Sequence, residues 1–159
     1  MNLQSLLKPL EELEESLGDL YEWFSRLFEE DEEAASLFYR MAREERSHAT
    51  LIRYERRLLR QSKLEVPTPM EQSHIREALD RIRALSQEVP PTLEEAIRFA
   101  LEIENHDAEN HYRFTHGTLP ASLTRLLGRL GREDLRHYRS LLDFADRRGK
   151  PFAAGEDRS

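Results

Sequence analysis

The chain has 159 residues, 38% hydrophobic and 35% charged, which suits a single domain with a buried core and is unlike a disordered chain. Its formal net charge of −7 argues against nucleic acid or an anionic membrane as a partner, and the lack of cysteine excludes disulfides and thiolate chemistry. No apolar run is long enough to span a membrane, and the N-terminus lacks a signal-peptide core, so we expect a cytoplasmic protein.

The spacing of apolar residues predicts four long helices, A to D, and no β-strand. Helix A is predicted from about Leu6 to Glu30. Helix B follows from about Glu32 to Gln61, with Asp31 as its N-cap, and the short turn between them predicts antiparallel packing. Helix C begins after Thr92, which can form a capping box with Glu95, and helix D ends near Arg148. Helix C is predicted to run to about His116, where Gly117 stops it, and helix D begins after residues 117–120.

A long connection separates helices B and C. It spans about 30 residues and contains a predicted short helix from Met70 to Gln87. Four helices with two short loops and one long crossover have ferritin-like topology. We therefore predict an all-α, ferritin-like four-helix bundle over residues 1–148, followed by a flexible tail over 149–159.

Each predicted helix carries at least one carboxylate in the middle of its apolar stripe. In helix A, Glu14 lies between Leu10 and Leu17 on that stripe, whereas Glu11 and the other neighbouring acids are assigned to the solvent side. Helices B and D each add a histidine three residues after the acid, and residues three apart share a helix face. The inward-facing acids and histidines are Glu14, Glu45, His48, Glu104, Asp107, Asp134 and His137.

Five buried carboxylates need compensating positive charge. Desolvating each costs on the order of several kcal/mol, and the carboxylates repel one another. Two divalent cations would supply roughly four positive charges and would accept neutral imidazoles as ligands. A Glu from each of two helices and a Glu-x-x-His from each of the other two is a known di-iron or di-manganese arrangement. The alternative is a degenerate site whose carboxylates are protonated or paired with arginines.

The chain also contains a loose internal repeat of these positions. The segment 41–52 aligns with 130–141, which places Glu45 on Asp134 and His48 on His137. The segment 13–24 aligns more loosely with 103–114, which places Glu14 on Glu104. Two hairpins related in this way would form a pseudo-symmetric site for two metal ions.

With this pattern, the sequence resembles the rubrerythrin branch of the ferritin-like di-iron carboxylate family over most of residues 6–148. That branch has a Glu followed by a Tyr seven residues later in helix A, as in Glu14 and Tyr21. It has Glu-x-x-Glu followed by a Tyr in helix C, where this chain has Glu104, Asp107 and Tyr112. Helices B and D of the branch carry Glu-x-x-His, which here takes the form Glu-x-x-His and Asp-x-x-His.

The resemblance implies roles for these residues. Glu45 and Asp134 would bridge the two metals, and Glu14 and Glu104 would be terminal ligands. His48, His137 and Asp107 would complete the ligand set. Tyr21 and Tyr112 would have the catalytic role of orienting the ligand carboxylates through hydrogen bonds, although plain core aromatics are the alternative. His111 is assigned as a hydrogen-bonded core histidine, with ligation or proton transfer as the alternative.

The implied activity is reduction of hydrogen peroxide or O2 at two iron ions, with manganese or a mixed pair as alternatives. Rubrerythrins proper carry a cysteine-ligated rubredoxin module, which this chain lacks, so the electrons would come from a separate donor such as a rubredoxin-like protein. We expect a homodimer, with the hairpins either packed within one chain or swapped between two. The alternatives are a ferroxidase that handles iron and a bundle with a degenerate site that acts as a non-catalytic adaptor.

Overall fold

The computed structural model describes residues 2–64, 72–113 and 119–149, and within these ranges the side chains of all residues except 72 and 108–113. Over these ranges the chain forms five α-helices and no β-strand. They are α1 (Leu3–Leu27), α2 (Glu32–Leu58), α3 (Gln72–Gln87), α4 (Leu93–Arg113) and α5 (Ala121–Arg147). The all-helical prediction is therefore confirmed, and the ferritin-like topology stays a prediction.

The predicted helices A to D correspond to α1, α2, α4 and α5, and the short connecting helix corresponds to α3. Helix α1 begins at Leu3 rather than Leu6, because the Asn2 side chain accepts a hydrogen bond from the Ser5 N–H at 2.9 Å and caps it. The predicted caps at Asp31 and Thr92 are confirmed. Asp31 Oδ1 accepts from the Ala34 N–H at 3.1 Å, and Thr92 Oγ1 accepts from the Glu95 N–H at 3.2 Å.

The described contacts divide the chain into two compact units. Unit 1 contains residues 1–90 and 117–126, and hence α1, α2, α3 and the first turns of α5. Unit 2 contains residues 91–116 and 127–159, and hence α4 and the rest of α5. The single domain predicted over residues 1–148 stays a prediction, and the predicted tail lies outside the described residues from 150 onward.

In unit 1, α1 and α2 pack antiparallel, since residues early in α1 contact residues late in α2. Gln4 donates to the backbone oxygen of Arg56 at 2.9 Å, and Tyr21, eleven residues before the start of α2, stacks on Phe38 at a centroid distance of 6.1 Å. The helices approach closely at Gly18, where an added Cβ would lie 2.9 Å from Arg46 Cγ. The two apolar stripes therefore face each other, and any polar residue on them is buried in this interface.

A row of ion pairs lies along one edge of the α1–α2 interface. Arg53 Nε and Arg56 Nε lie 2.6 Å and 2.9 Å from the two carboxylate oxygens of Glu11. Glu11 is only 6% exposed, so its assignment to the solvent side was wrong. Two guanidinium groups offset the cost of burying this carboxylate, which a helical stripe analysis of α1 alone does not reveal.

Unit 2 also contains buried apolar residues. Ala96, Ile97 and Ala100 of α4 are fully buried, as are Leu127 and Leu130 of α5.

Helix α5 ends at Arg147, and the N–H of Gly149, whose φ is +67°, donates to the Asp146 carbonyl at 3.0 Å. Among the described helices, none combines the length and apolar character needed to cross a membrane.

Candidate metal centre

Glu14, Glu45 and His48 form a buried triad in unit 1. Glu14 projects from α1, and Glu45 and His48 project from α2, one helical turn apart on its inner face. His48 Nδ1 lies 3.3 Å from Glu14 Oε2 and 3.2 Å from Glu45 Oε2. The three side chains are at most 2% exposed, so the triad is sealed from bulk water. We refer to it below as the unit 1 triad.

The pKa values of Glu14 and His48 in the unit 1 triad are both raised. Burial and, to a smaller extent, the nearby charge of Glu45 outweigh the opposing effect of His48 and together raise the pKa of Glu14 from 4.5 to about 7. Burial by itself lowers the pKa of His48, but hydrogen bonds to Glu14 and Glu45 and their negative charges outweigh it and raise that pKa to about 12. Without metal, the triad therefore retains a proton on His48 at neutral pH and holds part of another on Glu14.

Glu104, Asp134 and His137 form a corresponding buried triad in unit 2. Each offers a ligand atom, and these atoms lie within 4.8 Å of one another. His137 Nδ1 lies 3.4 Å from Glu104 Oε2, and all three residues are at most 3% exposed. Asp107 is also buried, at 4% exposed, but it does not belong to this group. We call this group the unit 2 triad.

The donor spacing in both triads fits a bound metal ion. Two ligands that each lie about 2.1 Å from one ion, at angles near those of octahedral coordination, are separated by about 3 Å. The His–carboxylate separations of 3.2–3.4 Å come close to this value before any ion is added. Buried carboxylate and imidazole donors at this spacing could hold a metal ion, and small side-chain movements would complete the coordination.

The helical repeat explains why the sequence brings these residues together. Glu45 and His48 are separated by three positions in α2, and Asp134 and His137 by three positions in α5, so each pair shares one face. The third member comes from a second helix, Glu14 from α1 and Glu104 from α4. Thus the internal repeat in the sequence corresponds to two triads with the same donor types.

Of the two predicted tyrosines, the structure describes the side chain of Tyr21. Tyr21 is fully buried, and its ring packs against Phe24 and Phe38 with centroid distances of 6.3 Å and 6.1 Å. This contact is consistent with a core aromatic, and the predicted role of Tyr21 toward the ligand carboxylates stays a prediction. The side chains of Tyr112 and His111 lie outside the described residues, so their predicted roles stay predictions as well.

Two further buried acids were missed, Glu11 and Glu55, each 6% exposed. Glu11 is neutralised by arginines as described above. Glu55 accepts a short hydrogen bond from the Ser122 hydroxyl at the start of α5, within unit 1. Glu55 lies seven residues after His48 on the inner stripe of α2, so helical spacing was a signal that could have identified it.

The chain matches no protein-family model, no curated protein and no solved structure. The case for function therefore rests on the two triads and on the chemistry of their donors.

Proposed function

We propose that the protein is a non-haem di-iron or di-manganese oxidoreductase of the rubrerythrin type, which reduces hydrogen peroxide or O2. The observation that carries this proposal is the presence of two buried triads of matched composition, each with two carboxylates and one imidazole. A single triad of this kind is only modest support for metal binding. Two triads at repeat-related positions favour a pair of ions over an isolated structural metal.

The donor set favours iron or manganese. Structural zinc sites are commonly tetrahedral and rich in cysteine, which this chain lacks. Calcium and magnesium prefer oxygen donors throughout, whereas each triad contains an imidazole nitrogen. Carboxylate oxygens together with one imidazole per ion suit iron or manganese in the divalent state.

When bound, two such ions would supply the electrons that convert hydrogen peroxide and two protons into two molecules of water. The chain's own residues would set the conditions for that reaction. Glu14 and Glu45 would turn their oxygens from His48 Nδ1 toward an ion, and His48 would bind as the neutral imidazole after losing its proton. The buried walls of Leu10, Leu17 and Ile52 around the unit 1 triad would restrict water entry and side reactions.

The resemblance to rubrerythrins adds finer assignments. Glu45 and Asp134 would be the carboxylates shared by two ions, with Glu14 and Glu104 as terminal ligands and Asp107 as a further ligand. These assignments require the two triads to act as one dinuclear centre. Magnetic coupling between the ions in the loaded protein, measured by Mössbauer or electron paramagnetic resonance spectroscopy, tests that requirement.

The test of activity is to load the purified protein anaerobically with Fe(II), add hydrogen peroxide and follow both ferric absorption and peroxide loss. We expect stoichiometric oxidation well above the rate of free iron. A double variant, Glu45→Ala with Asp134→Ala, should lose this reaction, whereas His74→Ala on α3 should retain it. Oxidation no faster than that of free iron would refute the proposal, and a protein that takes up no iron, manganese or zinc would favour the adaptor.

A further inference from the structure

A groove lies between α1 and α3 on the surface of unit 1. Both helices belong to that unit, and the groove has a volume of about 440 Å³. This volume falls within the range of small-molecule sites, which is about 300–1,000 Å³. We define the α1–α3 groove by six of the residues that line it, Leu20, Trp23, Arg26, Leu79, Ile82 and Arg83.

The α1–α3 groove has apolar walls. Leu20 and Ile82 are 3% and 6% exposed, and Leu79 is half-buried. Trp23 is also half-buried, and its indole packs against the buried ring of Phe24 at a centroid distance of 5.5 Å, which holds it in place. An apolar ligand would therefore meet preformed walls and would cover two large side chains that are partly open to water.

The α1–α3 groove also has two guanidinium groups, one from each helix. Arg26 lies one turn after Trp23, and Arg83 lies one turn after Leu79. Each helix thus presents an apolar side chain and an arginine on the same face. Arg83 pairs with Asp80 at 3.5 Å, and because both side chains are largely exposed, at 69% and 74%, this weak pair leaves the guanidinium available to a ligand.

Among the described residues that line the groove, Asp19 is the one acid, and it is already paired. Its Oδ1 lies 3.3 Å from Arg46 of α2, which also pairs with Glu22. With two arginines and one aspartate, the lining has a net charge of +1. The whole chain has a net charge of −7, but a small ion responds mainly to charges within about one Debye length, roughly 8 Å at physiological salt. The lining therefore suits a small anion.

We propose that the α1–α3 groove binds a small carboxylic acid with an apolar body, of the class of medium-chain fatty acids. The apolar body would lie against Trp23 and Leu79, and the carboxylate would accept hydrogen bonds from the guanidinium groups of Arg26 and Arg83. A neutral apolar molecule would leave both arginines unused, and an amine would be repelled by them. The proposal goes beyond the oxidoreductase activity proposed above and does not depend on it.

Binding in the groove would fasten α3 to α1. The described apolar side chains that α3 buries are Ile75, Ala78 and Ile82, which are few for a helix of 16 residues. A ligand between Trp23 and Leu79 would add apolar contact across this interface, and its carboxylate would link one arginine from each helix. We therefore expect the bound acid to slow the local opening of α3.

The test uses Trp23 as its reporter, because it is the only tryptophan of the chain and it lines the groove. Octanoate is titrated into the full-length protein, with and without Mn(II), and the tryptophan fluorescence is followed. Octanol and octylamine, which have the same apolar chain with a neutral and a positive head group, are the matched ligands. We expect octanoate to bind with a Kd on the order of 0.1 mM and octylamine to bind at least about tenfold more weakly.

Two double variants locate the carboxylate. Arg26→Gln/Arg83→Gln should weaken octanoate binding by about tenfold or more and leave octanol binding nearly unchanged, because only the charge-assisted hydrogen bonds are removed. The control Arg40→Gln/Arg57→Gln removes the same charge from exposed positions of α2 and should bind octanoate as the wild type does. Equal losses in the two double variants, or equal affinities of the wild type for octanoate and octylamine, would overturn the proposal.

Hydrogen exchange measured by mass spectrometry tests the position of the ligand. Octanoate should slow amide exchange in α3, and protection confined to the other helices would overturn the assignment to the groove. Octanoate binding that requires Mn(II) would place the carboxylate on a metal ion and would overturn it too. A tryptophan spectrum that shifts with protein concentration before any ligand is added would mean that a second copy of the chain fills the groove, which would also refute the proposal.

Discussion

The two triads have the same donor types but differ in one acid, which is Glu45 in unit 1 and Asp134 in unit 2. In unit 1, His48 is hydrogen bonded by two carboxylates, at 3.3 Å and 3.2 Å. In unit 2, the corresponding separation from His137 to Glu104 is 3.4 Å, and an aspartate stands where unit 1 has Glu45. Because Asp134 is one methylene shorter than a glutamate, it reaches less far toward an ion. We therefore expect matched sequence motifs to give two sites of unequal affinity for a metal ion.

The largest expected effect comes from removing one histidine at a time. His48→Ala should leave the unit 2 triad occupied, and His137→Ala should leave the unit 1 triad occupied, since each variant loses one buried ligand. Bound iron per chain, measured by elemental analysis after desalting, should fall from about two ions to about one, because losing a ligand weakens binding by about 100-fold or more. Retention of both ions in either variant would contradict the assignment of that triad.

Metal binding should raise the stability of the folded protein. An ion present at about 100 times its dissociation constant adds about 2.7 kcal/mol to the free energy of unfolding. For a chain of this size we expect Tm to rise by roughly 5–10 °C with Fe(II) or Mn(II), measured anaerobically by differential scanning fluorimetry. The double variant His48→Ala/His137→Ala is the control. A wild-type Tm that does not respond to either ion would refute metal binding by both triads.

The metal-free protein should become less stable as pH rises. Glu14 has a folded-state pKa of about 7, above its usual 4.5, so its contribution is complete below pH 4.5 and is lost as pH rises through 7. His48 has a folded-state pKa of about 12, above its usual 6.5, so its contribution is complete below pH 6.5 and is lost as pH rises toward 12. Between the unfolded-state and the folded-state pKa of each group, the free energy of unfolding should fall by on the order of 1 kcal/mol for each unit that the pH rises.

Chemical denaturation of the metal-free protein at pH 5.5, 7 and 8.5 measures this slope. Glu14→Gln/His48→Gln removes both titrating groups and should flatten it, with the variant folded state verified by circular dichroism. With metal present the trend should reverse, since the ion displaces these protons and binds more tightly at higher pH. An identical slope in the wild type and the double variant would exclude the unit 1 triad as its source.

The smallest expected effect comes from exchanging the acids that differ between the triads. Asp134→Glu should tighten metal binding in unit 2, and Glu45→Asp should weaken it in unit 1, each by less than about tenfold because charge and donor type are kept. Competitive titration with a fluorescent chelator gives the two affinities. Weaker binding in Asp134→Glu, or tighter binding in Glu45→Asp, would contradict the idea that acid length sets the difference between the triads.

Much of the secondary structure could be predicted because it depends on local periodicity and capping. The 3.6-residue rhythm predicted the four long helices, and the caps at Asp31 and Thr92 depend only on residues three positions away. The burial of Glu14, Glu45 and His48, and of their counterparts in unit 2, likewise followed from their stripe positions. Metal binding by these residues stays a prediction, as do the ferritin-like topology and the homodimer.

The errors arose where a partner from another helix decides the outcome. Glu11 appeared solvent-facing from the pattern of α1, but Arg53 and Arg56 of α2 allow it to be buried. The three-residue error at the start of α1 has a local cause, since the Asn2 cap was overlooked. An arginine from another helix can compensate a carboxylate only where the helices pack, so no analysis of one helix predicts it.

The sequence by itself determined which residues form helices and which acids and histidines share a helix face, because both depend on residues only a few positions apart. Only the tertiary structure decided that Glu14 meets His48 and that Glu104 meets His137, since each pair joins two helices. It also decided which arginines of α2 form ion pairs with α1. The physical reason is that burial and charge compensation depend on packing between helices, whereas helical periodicity acts within one.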